Sequence, residues 1–275
     1  MCVMVISKYC NRLTFVSNNS KRIRTCSASC PRSTDPVRQK CLRLCKIRSN
    51  IIECLHSFSR RLPWNLLYLV GYQMPILTVR FLSEHISGFD KDTFFKEHPI
   101  FVETGTLYGQ TVFSMEPFFK SLCTIEIKKE YVEKAHGQYR RFCKKNRRKE
   151  KIRFYWGDSP HILQHVLSDI PDNAVFFLDG HWSGGDTGKG VKEVPLLEEL
   201  TMIMEKFKHK AVIIIDDFRL FKKGPTDNSC KESWEDISKE KVLEIVQSRL
   251  TAEYHAPSSL SSTDRLVLHL KSNKN

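Results

Sequence analysis

Residues 174–185 read AVFFLDGHWSGG, an apolar run that stops abruptly at Asp179, Gly180, His181 and Trp182. The run predicts a strand over Ala174–Asp179 whose end opens into a polar turn. The same pattern recurs on both sides. Strands are predicted at Ile100–Glu103, Leu122–Ile127, Ile152–Trp156 and Ala211–Asp216. Amphipathic stretches at Gln110–Phe119, Lys129–Lys145, Pro160–Ser168 and Glu193–Phe207 predict the helices between them. Strands alternating with helices imply a parallel sheet with helices on both faces. The last part differs. After a polar loop at Phe221–Trp234 come a helix over Lys239–Leu250 and two strands, near Ala252–His255 and Arg265–Leu270. Their short connection, with Pro257 and a Ser-rich run, reads as a hairpin loop. The expected architecture is α/β, a seven-stranded sheet of five parallel strands and a C-terminal β-hairpin.

Ligands of an open α/β sheet bind beyond the carboxyl ends of its strands. Each predicted strand ends in chemistry suited to that place. The first runs into Glu103-Thr-Gly105-Thr106-Leu-Tyr-Gly109, where glycine permits a tight turn and close backbone approach. The second ends at Glu126, which can accept both hydroxyls of a ribose and lies 23 residues after Glu103. The third ends at Asp158 and Ser159, placed either to meet an adenine edge or to cap the next helix. The fourth and fifth end in Asp179, Asp216 and Asp217, whose mutual repulsion a divalent cation such as Mg²⁺ would relieve. Such a cation would acidify a bound hydroxyl. His181 beside it could take the proton, and Trp182 could pack on adenine. Ser183–Gly190 lacks the residues of a P-loop and reads as a loop over the site, with Asp186 or Lys189 near substrate.

The net charge of +13 is unevenly spread: residues 1–50 hold eleven Lys and Arg and one acid. That composition fits a transit peptide or a basic tail, so residues 1–54 are expected to be an extension, 55–97 N-terminal helices covering the site, and 98–275 the catalytic domain. Seven of the ten cysteines fall in residues 1–54, where Cys26, Cys30, Cys41 and Cys45 have a spacing a zinc ion could use. Three cysteines beyond residue 54 make no disulfide framework, so the domain is expected to be intracellular, in the cytoplasm or, with a transit peptide, in mitochondria. Residues 64–82 are the most apolar stretch, but Arg80, Asn65, Gln73 and Pro75 argue against a bilayer span.

With these motifs in place, the chain resembles class I S-adenosylmethionine-dependent methyltransferases over residues 98–270. Among them it looks like uncharacterised proteins with the signature carried here by Phe177–Gly185, followed by Pro195–Leu200 and Ile215–Phe221. More remotely it is similar to catechol and macrolide-sugar O-methyltransferases. The resemblance implies a Rossmann-like methyltransferase fold and S-adenosylmethionine as cofactor. It implies that Gly105 and Glu126 bind that cofactor and that Ser159 and Trp182 lie near its adenine; Glu103, Thr106, Gly109, Asp158 and Asp179, at the same strand ends, are expected to join them. It also implies metal ligation by Asp179, Asp216 and Asp217; His181, with Asp179, is the candidate for catalysis. Two departures from the catechol enzyme stand out: Gly180 is inserted, and Ser183 occupies the place of its Lys base. The acceptor expected is a small hydroxylated molecule such as a sugar, polyol or natural product. Two alternatives remain open: an RNA or DNA methyltransferase, prompted by nine Lys and Arg in Arg140–Arg153, and a non-catalytic binding protein of the same fold.

Overall fold

The computed structural model describes residues 76–225 and 232–273, together with two short strands, β1 (Val3–Val5) and β2 (Thr14–Val16). The chain divides into two units, Met1–Met74 and Pro75–Asn275. In the first, β1 and β2 pair antiparallel, Val3 opposite Val16. The cysteine quartet and most of the apolar stretch 64–82 lie outside the described residues.

The second unit opens with helices α1 (Val79–His85) and α2 (Lys91–Glu97), each started by a side-chain cap. Thr78 accepts from the Phe81 amide, and Asp90 accepts from that of Thr93. There follow β3 (Ile100–Thr104), α3 (Gln110–Met115), β4 (Ser121–Glu126), α4 (Lys129–Lys145) and β5 (Ile152–Trp156). Then come α5 (Ser159–Val166), β6 (Ala174–Leu178), α6 (Leu196–Lys206) and β7 (Ala211–Ile215). Helix α7 (Lys239–Val246) and the hairpin β8 (Leu250–Ala256) and β9 (Arg265–Leu270) complete the unit.

The seven strands lie in the order β5-β4-β3-β6-β7-β9-β8. Strands β3 to β7 are parallel, while β9 runs antiparallel to both β7 and β8. Side chains alternate across the sheet. Ile100, Val102, Phe176, Ile213 and Ile215 face a core built with Leu163, Leu200 and Val242 of α5, α6 and α7. Phe101, Val175, Phe177, Val212 and Ile214 face the other, built with Leu82, Met115 and Tyr139 of α1, α3 and α4. Central strands buried on both faces explain the uninterrupted apolar run in β7.

Strand order reverses between β3 and β6, because β4 lies on one side of β3 and β6 on the other. That creates a crevice at their carboxyl ends. Of the two helices expected to cover the site, α1 reaches the carboxyl edge, where Phe81 lies 4.6 Å from the Arg265 guanidinium. Helix α2 ends instead at the amino edge, where the Glu97 carbonyl accepts from Asn173. Among the described residues, no helix is long and apolar enough to cross a membrane.

Candidate active site

The turn after β3 is shaped by its backbone. Gly105 has φ +85°, and its amide donates to the Ile125 carbonyl at 2.9 Å. A Cβ there would stand 2.9 Å from the Asp179 carbonyl carbon and closer still to its oxygen, so β3 and β6 can close up only over glycine. Gly109, at φ +75°, starts α3 under the Phe113 ring. Between them Leu107, with φ 46°, turns its amide to Glu126, donating to Oε2 at 2.8 Å. The Lys128 amide donates to Glu126 Oε1 at 2.9 Å. Both Glu126 oxygens thus accept backbone N–H groups. Burial raises the pKa of Glu126, and the amides of Lys128, Leu107 and Ile127 oppose that rise.

Glu103 is almost wholly buried and accepts from Thr124 Oγ1 at 2.6 Å; Thr106 Oγ1 lies 2.5 Å from the same hydroxyl. Thr124 spends its one hydrogen on Glu103, so Thr106 donates to Thr124. Burial lifts the Glu103 pKa to about 8, against the Thr124 hydrogen bond and with help from the Glu126 charge. At the next strand end, Asp158 occupies the N-cap of α5 but makes no side-chain capping bond. Ser159 donates to Glu199, a buried carboxyl whose pKa burial raises to about 7. The Ser159 hydroxyl is therefore committed to α6.

The loop after β6 crosses these ends. Lys128 pairs with Asp186, and the Tyr131 hydroxyl donates to it at 3.0 Å. Gly188 rests on Ile127 and Gly190 on Asp158, at positions where a Cβ would collide. Lys189 lies 4.6 Å above the Trp182 ring and pairs with Glu193 at 2.6 Å. Asp186 and Lys189, read from the sequence as near substrate, are thus the two charges that fasten this loop.

The acidic ends of β6 and β7 are sorted by two arginines. Asp216 accepts from Arg265 at 3.2 and 3.4 Å, both residues being buried. Burial lifts its pKa to about 6, the Arg265 charge opposing and the Asp217 charge adding. Asp217, at φ 58°, pairs through Oδ1 with Arg219, which Asp264 also holds at 2.8 Å. Its Oδ2 lies 3.2 Å from His181 Nε2. Asp179 Oδ1 lies 3.7 Å from His181 Nδ1. Burial, then the charges of Asp216, Asp217 and Glu103, raise the Asp179 pKa well above the ordinary carboxylate range. Asp179, His181 and Asp217 offer donor atoms within 4.8 Å of one another. The group that converges with Asp179 therefore contains His181, and Asp216 turns toward Arg265.

Sequence reasoning missed Glu232, whose Oε2 lies 3.7 Å from His181 Nε2 and accepts from Trp234 Nε1 at 2.6 Å. It also missed the partners Glu199, Arg219, Asp264 and Arg265. The one available signal was the Asp264-Arg265 pair standing directly before an apolar strand. Trp234 and Phe221 are buried in the core, and His161 is exposed on α5. The basic run Arg140–Arg153 covers the end of α4 and the start of β5, at the amino edge of the sheet, opposite the acidic residues. There Glu116 pairs with Arg148 and Lys151, and Glu150 with Arg140.

No family model and no curated protein matches the chain. Solved structures do. The O-methyltransferase TomG from Streptomyces achromogenes, involved in tomaymycin synthesis and solved with SAM, is 18% identical; the match covers 65% of this chain and 75% of that one, with TM-score 0.44. The N-methyltransferase NodS from Bradyrhizobium japonicum WM9 is 14% identical over 64% and 86% of the two chains, with TM-score 0.38. An rRNA methylase from Streptococcus thermophilus is 14% identical over 65% and 89%, with TM-score 0.38. By its own strand order, five parallel strands closed by an antiparallel hairpin, the chain has a Rossmann-like α/β fold with the strand plan of class I methyltransferases.

Proposed function

We propose that the chain is an S-adenosylmethionine-dependent methyltransferase acting on the oxygen of a small hydroxylated substrate. The observation that carries this reading is the Glu126 carboxylate. It is held by backbone amides, those of Leu107 and Lys128 among them, beside the crevice, and its remaining acceptor capacity suits a ribose hydroxyl. The surrounding residues fit such a ligand. Gly105 and Gly109 keep the turn narrow, and Asp158 stands at the neighbouring strand end.

S-adenosylmethionine supplies, when bound, a methyl group on a cationic sulfur. The protein's share is orientation and proton handling. Glu126 and the Thr104–Gly109 turn fix the ribose, and Trp182 with the fastened loop keeps water from the adenine side. His181, enclosed by carboxylates, takes the proton of the acceptor hydroxyl. Asp179 and Asp217 would hold a divalent cation, Mg²⁺ or another, which would lower the pKa of a coordinated hydroxyl.

The test is incubation of the full chain with methyl-labelled S-adenosylmethionine and a panel of sugars, polyols and phenols, with and without chelator. Label on an acceptor oxygen, diminished by chelation, is expected. Label on nitrogen, or undiminished by exhaustive chelation, removes the oxygen or the metal part respectively.

A further inference from the structure

We infer that residues 183–192 form a flap that swings aside to let a nucleoside reach Glu126 and Asp158, and that Asp186 is its latch. The inference rests on reading this crevice as the S-adenosylmethionine site and adds the device that governs entry to it.

The segment has no regular structure, yet its root is closed. The Trp182 amide donates to the Glu193 carbonyl at 2.7 Å, which makes the ten residues between them an Ω-loop with a narrow neck. Just above the neck, the Thr187 hydroxyl donates to the Gly184 carbonyl at 2.7 Å, and the Ser183 amide donates to that hydroxyl at 3.1 Å. Lys189 binds back to the root, through Glu193 and the Trp182 ring. The loop thus holds its own shape from the neck outward.

Its other contacts are with the crevice. Gly188 packs on Ile127, the residue after Glu126. Gly190 packs on Asp158 at the end of β5, where a Cβ would stand 2.7 Å from Oδ1. Ile127 lies beside the carboxylate read as holding ribose, and Asp158 is the group read as facing adenine. The seated loop therefore crosses the way between them. A space that will not take a methyl group will not take an adenine ring, so the ring enters only when the loop lifts.

The far end of the loop is held by few groups, all polar. Lys128 Nζ pairs with the Asp186 carboxylate and donates to its carbonyl at 2.8 Å. The Tyr131 hydroxyl lies 3.0 Å from that carbonyl and from Oδ2. The Asp186 side chain is 84% exposed, and an ion pair so open to water is weak. A firm root with a weakly held tip is the arrangement of a hinged flap.

The test is stopped-flow binding of S-adenosylhomocysteine to the full chain, followed by tryptophan fluorescence. Asp186→Ala cuts the latch, and Gly188→Ala unseats the loop from Ile127. Expected is association about three- to tenfold faster in both variants, with dissociation faster by a similar factor, the effect of losing one weak ion pair and its hydrogen bonds. S-adenosylhomocysteine carries no net charge at neutral pH, so salt does not steer it. Salt should instead speed association with the wild type by screening Lys128 from Asp186, and should leave Asp186→Ala unmoved. Association equally fast in all three proteins, or slower in the variants, overturns the inference. So does faster association accompanied by lost hydrogen-exchange protection of the buried amides in β3 and β6, which would mark a loosened fold. No binding to the wild type would end the methyltransferase reading and the flap's role together, whereas binding at rates indifferent to latch, loop and salt would overturn the flap alone.

Discussion

Gly105 lies directly against the backbone carbonyl of Asp179, so the first and fourth parallel strands of the domain meet at their carboxyl ends with no side chain between them. The contact joins the turn that would receive the ribose to the strand end that carries the acidic group. Gly105→Ala would force a Cβ into that carbonyl from a left-handed backbone position. The expected cost is about 2 kcal/mol or more, read as a lower urea midpoint with an unchanged slope.

Glu126 is the most direct link between the fold and the proposed cofactor. Glu126→Gln turns an amide NH₂ toward Leu107 or Lys128 and removes the charge from the ribose acceptor. Hydrogen bonds to charged groups contribute ~1.5–3 kcal/mol, so affinity for S-adenosylhomocysteine should fall roughly 10- to 100-fold by calorimetry. The melting temperature of the unliganded protein should change much less.

Glu103 makes stability depend on pH. Its folded pKa of about 8 lies above the ordinary value of 4.5, so the folded state holds the proton more tightly than the unfolded chain. Stability contributed by this group is fully present below pH 4.5 and is lost as pH rises through 8. Glu103→Gln removes that dependence. Denaturant melts at pH 5 and pH 8.5 should show the variant gaining on wild type at the higher pH, and an equal difference at both would contradict the assignment.

Arg265 and Asp216 form a buried pair. Arg265→Leu leaves Asp216 without its cation and should cost about 3–5 kcal/mol in chemical unfolding, whereas the double variant with Asp216→Leu should recover most of that loss. The same cycle tests whether Asp216 has a role beyond the pair. A double variant that regains stability and still transfers methyl groups would place Asp216 outside the chemistry.

The strands and helices were legible because the apolar runs are short and punctuated. Ile152–Trp156, Lys129–Lys145 and Arg265–Leu270 have the bounds their patterns suggest. Where bounds differ, the cause is local. Pro117 and the paired phenylalanines after it continue the apolar pattern beyond Met115, where α3 ends. The strand-end acids were legible as a set because an open parallel sheet brings its carboxyl ends together. Their pairing was not legible. Arg265 and Arg219 look like ordinary basic residues in sequence, and only the antiparallel return of β9 sets Arg265 beside Asp216. Glu232 was invisible for a similar reason, since no periodicity governs the loop that carries it.

The measurement that bears most directly on the central claim is calorimetric titration of S-adenosylmethionine into the full chain and into Glu126→Ala. The account predicts one site per chain in the wild type and binding at least tenfold weaker in the variant. No heat of binding to the wild type, or equal affinity in both proteins, would contradict it.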